Sequence, residues 1–399
     1  MRDGMNGVKS PAVNEFPAWP PGRTGWPWTR GQAAVGAWRP DKDRLPRISV
    51  VMPSFNQGSF IEAAIRSVLL QGYEDLELIV VDGGSTDETV EILRKYEPWL
   101  TFWVSEPDAG QADALYKGFA RSTGEVLAWL NSDDMYCPGA LDAVGLCYRQ
   151  HPDSGLVYGD CEVIDAEGVV TDTIRGEAGD LERLLTRNIV PQPSAFFSRR
   201  AFDRAGGIDS GLHFIMDYEL WIRMMLRGEV FRYLPVCLSR FRWYRVSKSG
   251  SYSTQFGYEY LSLLRRLLEE QTDERLRRTR LPAFHYAFTM IMACNGQGAD
   301  DEDIQRALGL WERHLDQYEE DYRRFPALLA DSLCRMGDAY CLQGNTKKGR
   351  AFFGRSLRVG SNLRNPALPG GLISCMGPGI YRRYAAICRA LASQIRRRR

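Results

Sequence analysis

Asn131, Ser132, Asp133 and Asp134 end an apolar run, Glu125–Leu130 (EVLAWL), with an amide, a hydroxyl and two adjacent carboxylates. Val126, Leu127, Trp129 and Leu130 suit a short strand covered on both faces, and in α/β sheets ligands collect where such strands end. Neighbouring carboxylates repel, so a site that keeps both ionised holds a divalent cation or accepts from hydroxyls. An acidic surface turn is the competing reading of these four residues alone. Two further polar groups follow apolar runs in the same manner. Pro53, Ser54 and Asn56 come after Ile48–Met52 and offer groups suited to hydrogen-bonding a flat base. Asp82 comes after Leu76–Val81, placed to accept from a base N–H or a ribose hydroxyl. Turn chemistry competes here too, since Asn56 and Asp82 are also residues that cap helices.

The elements that must carry these groups alternate between two periods. Ile48–Met52 and Leu76–Val81 read as buried strands, Thr101–Val104 as a short one, and Glu125–Leu130 as the central strand. Between them Ile61–Leu70, Thr89–Tyr96 and Gln111–Arg121 carry apolar positions at helical spacing, the second preceded by DGGSTDET, a source of capping side chains. Repeated β-α-β order predicts a mostly parallel sheet with right-handed crossovers, and site residues in the loops after the strands. Leu156–Val163 and Val169–Thr173 flank DAEG as a hairpin. No GxGxxG or GxxxxGKS fingerprint follows the first strand, which disfavours a dinucleotide-binding Rossmann domain and a P-loop enzyme.

At 399 residues, 44% of them hydrophobic, the chain exceeds one ordinary domain. We divide it into a Pro/Trp-rich arm (1–45), an α/β domain (46–252) and a helical domain (253–399). The arm is too proline-broken for helix, and its tryptophans suggest a segment that wraps a folded surface. The nine cysteines show no CxxC pair and no zinc spacing, so they are expected reduced. Neither a signal peptide nor a membrane-spanning run is evident, and the expected location is cytoplasmic. Thirteen Lys and Arg and no Asp or Glu lie between Cys341 and Arg399, in a chain whose net charge is +1. The remainder is therefore acidic, and the two parts face different partners.

ISVVMPSFNQGSF, LELIVVDGGSTDETVEIL, SEPDAGQADALYKGFARSTGEVLAWLNSDD, PQPSAFFSRRAFDRAGGID and MDYELWIRM, in that order, resemble the family 2 glycosyltransferases. The resemblance covers roughly half the chain, and the order of the motifs makes it specific. It implies a GT-A fold, a mixed, mostly parallel Rossmann-like sheet flanked by helices. It also implies an inverting transferase that uses a nucleotide-diphosphate sugar, with UDP the expected nucleotide, and Mn²⁺ or Mg²⁺.

By that resemblance Pro53, Ser54, Asn56 and Asp82 hold the nucleoside, and Asp108, Gly110, Gln111 and Asp113 lie beside the nucleotide and donor sugar. Asn131, Ser132 and Asp133 align with the family's Asp-X-Asp metal motif. Asn131 removes one charge, Asp133 is the metal ligand, and Asp134 positions hydroxyls. Asp217 aligns with the general base, which takes the acceptor hydroxyl's proton, and Met216 replaces its usual acidic neighbour. An N-cap is the other reading of Asp217. Tyr244 stands where many relatives have a histidine near the metal, and Tyr is a poor Mg²⁺ ligand at neutral pH. Arg242, Arg245 and Lys248 then supply charge to the diphosphate, unless they lie on a solvated loop. Gln192 is the acceptor-side candidate for a sugar hydroxyl. The three departures at Asn131, Met216 and Tyr244 motivate an alternative, a nucleotide-sugar-binding protein without turnover.

Beyond residue 252 the pattern is helical, with Tyr258–Glu270, Pro282–Ala293, Asp303–Asp321, Ala327–Gln343 and Lys347–Val359. MGDAYCLQGNTKKGRAFFGRSL resembles one tetratricopeptide hairpin, with Gly337, Tyr340, Gly344 and Phe353 in place and Gly349 and Ser356 where alanines are preferred. Ile380, Tyr384, Ile387, Leu391 and Ile395 form one stripe of a basic terminal helix suited to an anionic membrane surface or to packing on the helical domain. No nucleic-acid module accompanies the charge. The expected acceptor is a glycan or lipid-linked hydroxyl.

Overall fold

The computed structural model describes residues 13–29, 45–251, 253–268, 274–295 and 300–359. Two compact units emerge: the described residues up to Leu184 with Asn188–Tyr244, and Leu185–Arg187 with the described residues from Arg245 onward.

The first unit begins as the sequence predicts: β1 (Ile48–Ser54), α1 (Ile61–Leu69), β2 (Leu76–Asp82), α2 (Thr89–Tyr96), β3 (Phe102–Ser105), α3 (Gln111–Phe119) and β4 (Val126–Trp129). Elements not read from the sequence follow: β5 (Met135–Tyr136) and α4 (Ala140–Gln150), then, after the β6 (Ser154–Ile164) and β7 (Val170–Ile174) hairpin, α5 (Leu181–Thr186) and β8 (Ala195–Ser198) with α6 (Arg199–Ala205). α7 (Met216–Leu226) and the long β9 (Val230–Arg242) complete it.

The nine strands of the described residues form one mixed sheet in the order β3-β2-β1-β4-β8-β6-β9-β5, with β7 on β6. Strands β3, β2, β1 and β4 are mutually parallel, so their carboxyl ends share one edge. β1 lies between β2 and β4, where the chain order reverses direction across the sheet; such a switch point opens a crevice for ligand. Antiparallel pairing with β8 closes the other side of β4.

Side-chain alternation along β1 builds a core on each face of the sheet. Ile48, Val50 and Met52 join Ile61, Ile65, Val68, Leu78, Val80, Leu141 and Val144 under α1 and α4. On the opposite face α3 comes so close that a Cβ at Gly118 would sit 2.3 Å from a Val51 methyl. That face also holds an aromatic cluster in which Trp129 of β4 stacks on Trp221 of α7, centroids 5.7 Å apart.

The arm residues lie against α1. Arg66, fully buried, donates to the carbonyls of Pro27 (3.0 Å) and Trp28 (3.1 Å) and lies over the rings of Phe16, Trp19 and Trp28. The guanidinium thereby exchanges water for carbonyls and π-faces, which makes its burial tolerable.

In the second unit α8 (Gln255–Leu268), α9 (Glu274–Ala293), α10 (Asp301–Gln317), α11 (Glu319–Arg323), α12 (Pro326–Leu342) and α13 (Thr346–Val359) pack helix on helix. Trp311 stacks on Phe288 with centroids 5.1 Å apart. The α12/α13 hairpin explains its glycines: a Cβ at Gly349 would stand 2.3 Å from the Cys341 sulfur, and one at Gly337 would stand 2.8 Å from the Phe353 ring. Small residues let the two helix backbones approach closely. Among the described residues, no helix is long and apolar enough to cross a membrane. The basic terminal helix expected around Ile380–Ile395 lies outside the described residues.

Candidate active site

The shared edge of β1, β2, β3 and β4 gathers most of the polar groups singled out in the sequence. Pro53 and Ser54 pair in register with Val81 and Asp82. The Ser54 hydroxyl is buried and has no hydrogen-bond partner among the described residues. Asp82 is fully buried, and its carboxylate accepts from the Ser85 N–H (2.8 Å), the Ser85 hydroxyl (2.5 Å) and the Ser105 hydroxyl (2.7 Å). Asp82 thus fixes the loop after β2 and ties it to the end of β3. Ser85 and Ser105 are hydrogen-bond partners of Asp82 that the sequence did not single out. The signal was local, since Ser85 stands three residues past Asp82 in a turn.

Asn56 adopts a left-handed backbone (φ 52°), a conformation that asparagine tolerates better than most residues. Its N–H reaches the Ser85 hydroxyl (2.7 Å) and its side-chain oxygen accepts from the Thr86 N–H (2.9 Å). The loops after β1 and β2 are thereby clamped together, with the Phe55 ring 60% exposed beside them. Asp87 completes the clamp by accepting from the N–H groups of Gly58 (2.8 Å) and Thr89 (3.0 Å).

After β3, Asp108 accepts from the Gly110 N–H (2.8 Å), and Gly110 starts α3 at φ 109°, a conformation that favours glycine. Asp113 accepts from the Ala109 N–H (3.1 Å) and pairs with Lys117 (3.2 Å). The Ala109 bond leads the effects that hold its carboxyl below the usual carboxylate value. Asp108 and Asp113 therefore shape the loop that delivers Gln111. The Gln111 amide donates to the side-chain oxygen of Asn131 at 2.7 Å.

Asn131 is the hub of the acidic turn. Its own amide reaches Asp134 (3.3 Å) and Gln192 (3.4 Å), and Gln192 in turn donates to the Trp129 carbonyl (3.0 Å). Ser132 is buried, and Asp134 is fully buried, one carboxylate oxygen accepting from the Arg242 N–H (2.8 Å). Asp133 is half-buried and accepts from the Tyr244 hydroxyl at 3.1 Å. Burial raises both carboxyls above their ordinary value, and for Asp134 the charge of Asp133 adds to it. Tyr244 is itself pushed up to about 12, by burial and then by Asp133, so it donates as a neutral phenol. Its ring packs on Phe60 with centroids 5.2 Å apart.

Arg242 is held by backbone carbonyls on two turns. Its guanidinium donates to the carbonyls of Asp133 (2.9 Å), Asp165 (2.8 Å) and Ala166 (2.9 Å) and lies over the Phe60 ring. It is a buried clamp joining the acidic turn to the β6/β7 turn. Arg245 and Lys248, both exposed, belong to the second unit.

Asp217 lies in the first turn of α7 behind Ile215, the N-cap, and is half-buried; Met216 before it is buried. Trp221, four residues on, is the side chain that stacks on Trp129, so α7 is braced on the strand leading into Asp133. Close to Arg242, Trp26, Trp28, Phe60, Met135 and Arg240 line a cavity of about 270 Å³.

A hard divalent cation fits the chemistry of the turn. Asp133 would present an oxygen ligand, while the amide of Asn131 and the carboxylate of Asp134 already have protein partners, so the protein would supply few ligands and phosphate and water the rest. Mg²⁺ and Mn²⁺ accept such a shell, and Mg²⁺ characteristically keeps several waters.

The family model described as glycosyl transferase family 2 matches residues 49–204. A PGL/p-HBAD biosynthesis glycosyltransferase of Mycobacterium tuberculosis is 31% identical over 201 residues, covering 49% of this chain and 77% of that protein. An uncharacterized glycosyltransferase of Rickettsia felis is 26% identical over 238 residues, covering 57% of this chain and 39% of that protein. Among solved structures, S. aureus TarS 1–349 superposes with a TM-score of 0.47 at 14% identity, covering 78% of this chain and 88% of that one. The family model and the mycobacterial relative, 31% identical and covered over 77% of its length, show that the chain belongs to the family 2 glycosyltransferases.

Proposed function

We propose that this glycosyltransferase takes a nucleotide-diphosphate sugar, with UDP the expected nucleotide, and passes the sugar with inversion to a hydroxyl of a glycan or lipid-linked acceptor. The observation that carries the reading is the convergence at one sheet edge of the unpartnered Ser54 hydroxyl, the Asn56–Ser85 clamp and the acidic turn with Tyr244 on Asp133. The nucleoside lies over the β1 and β2 loops, where Pro53, Ser54 and Asn56 face it and Asp82 keeps those loops in place. The loop of Asp108, Gly110 and Asp113 brings Gln111 to the donor sugar and diphosphate. A helix start offers N–H groups to anionic oxygens there.

Asp133 would hold Mn²⁺ or Mg²⁺, with Asp134, Asn131 and Ser132 fixing its turn from below and Tyr244 orienting its carboxylate. When bound, the cation offsets the charge that develops on the departing diphosphate. Asp217 takes the acceptor hydroxyl's proton as that oxygen attacks the anomeric carbon, with α7 supplying rigidity and Met216 and Gln192 standing on the acceptor side. The cellular setting expected for such an acceptor is the cytoplasmic face of the envelope, where the basic terminal segment would meet anionic lipid.

A thermal-shift screen over nucleoside diphosphates and their sugars, with and without Mn²⁺, tests the donor assignment, because stabilisation follows ligand affinity. A UDP-sugar that raises Tm only with Mn²⁺ in the wild type, and loses that dependence in Asp133→Ala, is the expected result. Equal stabilisation by every nucleotide regardless of metal would overturn it.

A further inference from the structure

Apart from the acidic turn, one cluster of ligand-type side chains stands together among the described residues. Cys137, three residues past Asp134, and Cys237 of β9 hold their sulfurs 3.5 Å apart. With Glu162 of β6 they present ligand atoms that all lie within 4.8 Å of one another. Sheet register makes this meeting: the Cys137 N–H donates to the Leu238 carbonyl (2.9 Å), and Glu162 pairs with Arg240 in the parallel β6/β9 ladder. Arg240 donates to one Glu162 oxygen at 2.8 Å, which orients the carboxylate and leaves its second oxygen for another partner. Cys137 is buried, whereas Cys237 and Glu162 are half-buried, so the cluster is sheltered but reachable.

The spacing favours a metal over a disulfide. Two sulfurs bound tetrahedrally to one ion at about 2.3 Å stand about 3.8 Å apart, close to what is found, while a disulfide needs about 2.05 Å. Two thiols and a carboxylate suit Zn²⁺ and similar thiophilic ions, and the thiols discriminate against Mg²⁺.

We propose that Cys137, Cys237 and Glu162 bind a thiophilic divalent cation, Zn²⁺ fitting best, with water as the fourth ligand, at a site separate from the acidic turn. Binding forms two sulfur–metal bonds and one oxygen–metal bond, releases the thiol protons to solvent and involves no oxidation. The site ties the segment leaving β5 to β9. β5 follows Asp133 and Asp134, and β9 ends at Arg242, two residues before Tyr244, so the ion would brace the frame of the acidic turn.

The full chain, reduced and freed of metal, is titrated with Co²⁺ as a spectroscopic probe and then with Zn²⁺. One equivalent of Co²⁺ is expected to give thiolate-to-cobalt charge-transfer absorption that Zn²⁺ abolishes. Cys137→Ser and Cys237→Ser should each lose the band, Glu162→Gln should weaken Co²⁺ binding at least tenfold, and Cys147→Ser should retain it. The wild type alone provides a second test that needs no variant to fold: Zn²⁺ should slow alkylation of Cys137 and Cys237, read by peptide mass mapping, while Mg²⁺ should not. No charge-transfer band, no protection from alkylation, or a Cys137–Cys237 disulfide formed in preference to metal binding would overturn the proposal.

Discussion

Arg242→Lys separates two jobs that a buried arginine beside a diphosphate site could hold. The native guanidinium serves three carbonyls, those of Asp133, Asp165 and Ala166, at 2.8 to 2.9 Å, and is 4% exposed. A lysine ammonium keeps the charge but cannot span all three acceptors, so about two carbonyls lose a charged donor. Hydrogen bonds to charged groups contribute roughly 1.5–3 kcal/mol each, and relaxation and water entry recover part of that, leaving about 3 kcal/mol of lost stability. For a unit of this size that corresponds to a fall in Tm of roughly 6–12 °C. Calorimetry of the variant should show this fall, with turnover reduced because the acidic turn loses its anchor on the β6/β7 turn. If Tm stays within about 2 °C of wild type while affinity for nucleoside diphosphate drops tenfold, Arg242 faces the ligand and the clamp assignment is wrong.

Protonation should govern metal use. Asp133 and Asp134 have folded-state pKa values raised above 3.8, by burial first, so the metal-free folded chain holds these protons to higher pH than the unfolded chain. Their contribution to stability is present below the ordinary value and lost as pH rises through the folded values. Mn²⁺ requires the ionised form, so its affinity, read by calorimetric titration, should rise across that same interval and flatten in Asp133→Asn. Tyr244→Phe removes the donor to Asp133 and should move this interval to higher pH, with turnover falling about tenfold, equivalent to ~1.4 kcal/mol. An unmoved pH profile would show that the hydroxyl does not act on Asp133. In the second unit Gly349→Ala places a methyl 2.3 Å from the Cys341 sulfur and should destabilise the α12/α13 hairpin by about 1–3 kcal/mol. Hydrogen exchange confined to that hairpin would detect it, and unchanged protection would contradict the packing argument. His314, stacked on Phe284 and held down to about 3 by burial, must stay neutral in the fold. Its stabilisation is full above the unfolded value of 6.5 and is lost as pH falls toward 3, so His314→Phe should flatten acid unfolding of the second unit over that window.

The alternation of strand and helix through β4 was legible because each strand there is a compact apolar run closed by a turn residue. β9 was not: its 13 residues show no clean alternation of buried and exposed positions, and Pro235 lies where the β6/β9 register shifts. α4 carries Gly145 at its middle, where a Cβ would strike the Tyr73 ring, and so reads poorly as helix. Within the site, partners close in sequence or on adjacent strands follow from local turn chemistry, the reading of Asp82 that competed with nucleoside binding and that its bonds to Ser85 and Ser105 match. The carbonyl contacts of Arg242 were not readable because its acceptors at 165 and 166 come from a turn about 77 residues earlier in the chain, and no local pattern announces them. The same holds for Asp133 and Tyr244, 111 residues apart, where family resemblance suggested the neighbourhood and the structure supplied the hydrogen bond. Ser54 shows the converse: its type and place were legible, its missing partner was not.

The central claim is that Asp133 and Asp217 act on one transfer, the first through the departing diphosphate and the second through the attacking hydroxyl. Release of nucleoside diphosphate from the donor selected by thermal shift, measured with Mn²⁺ in wild type, Asp133→Ala and Asp217→Asn, tests it directly. The account predicts that Asp217→Asn keeps Mn²⁺-dependent donor binding but loses at least ~100-fold in turnover, whereas Asp133→Ala loses both. Wild-type turnover in Asp217→Asn, or metal-dependent binding retained in Asp133→Ala, would contradict it.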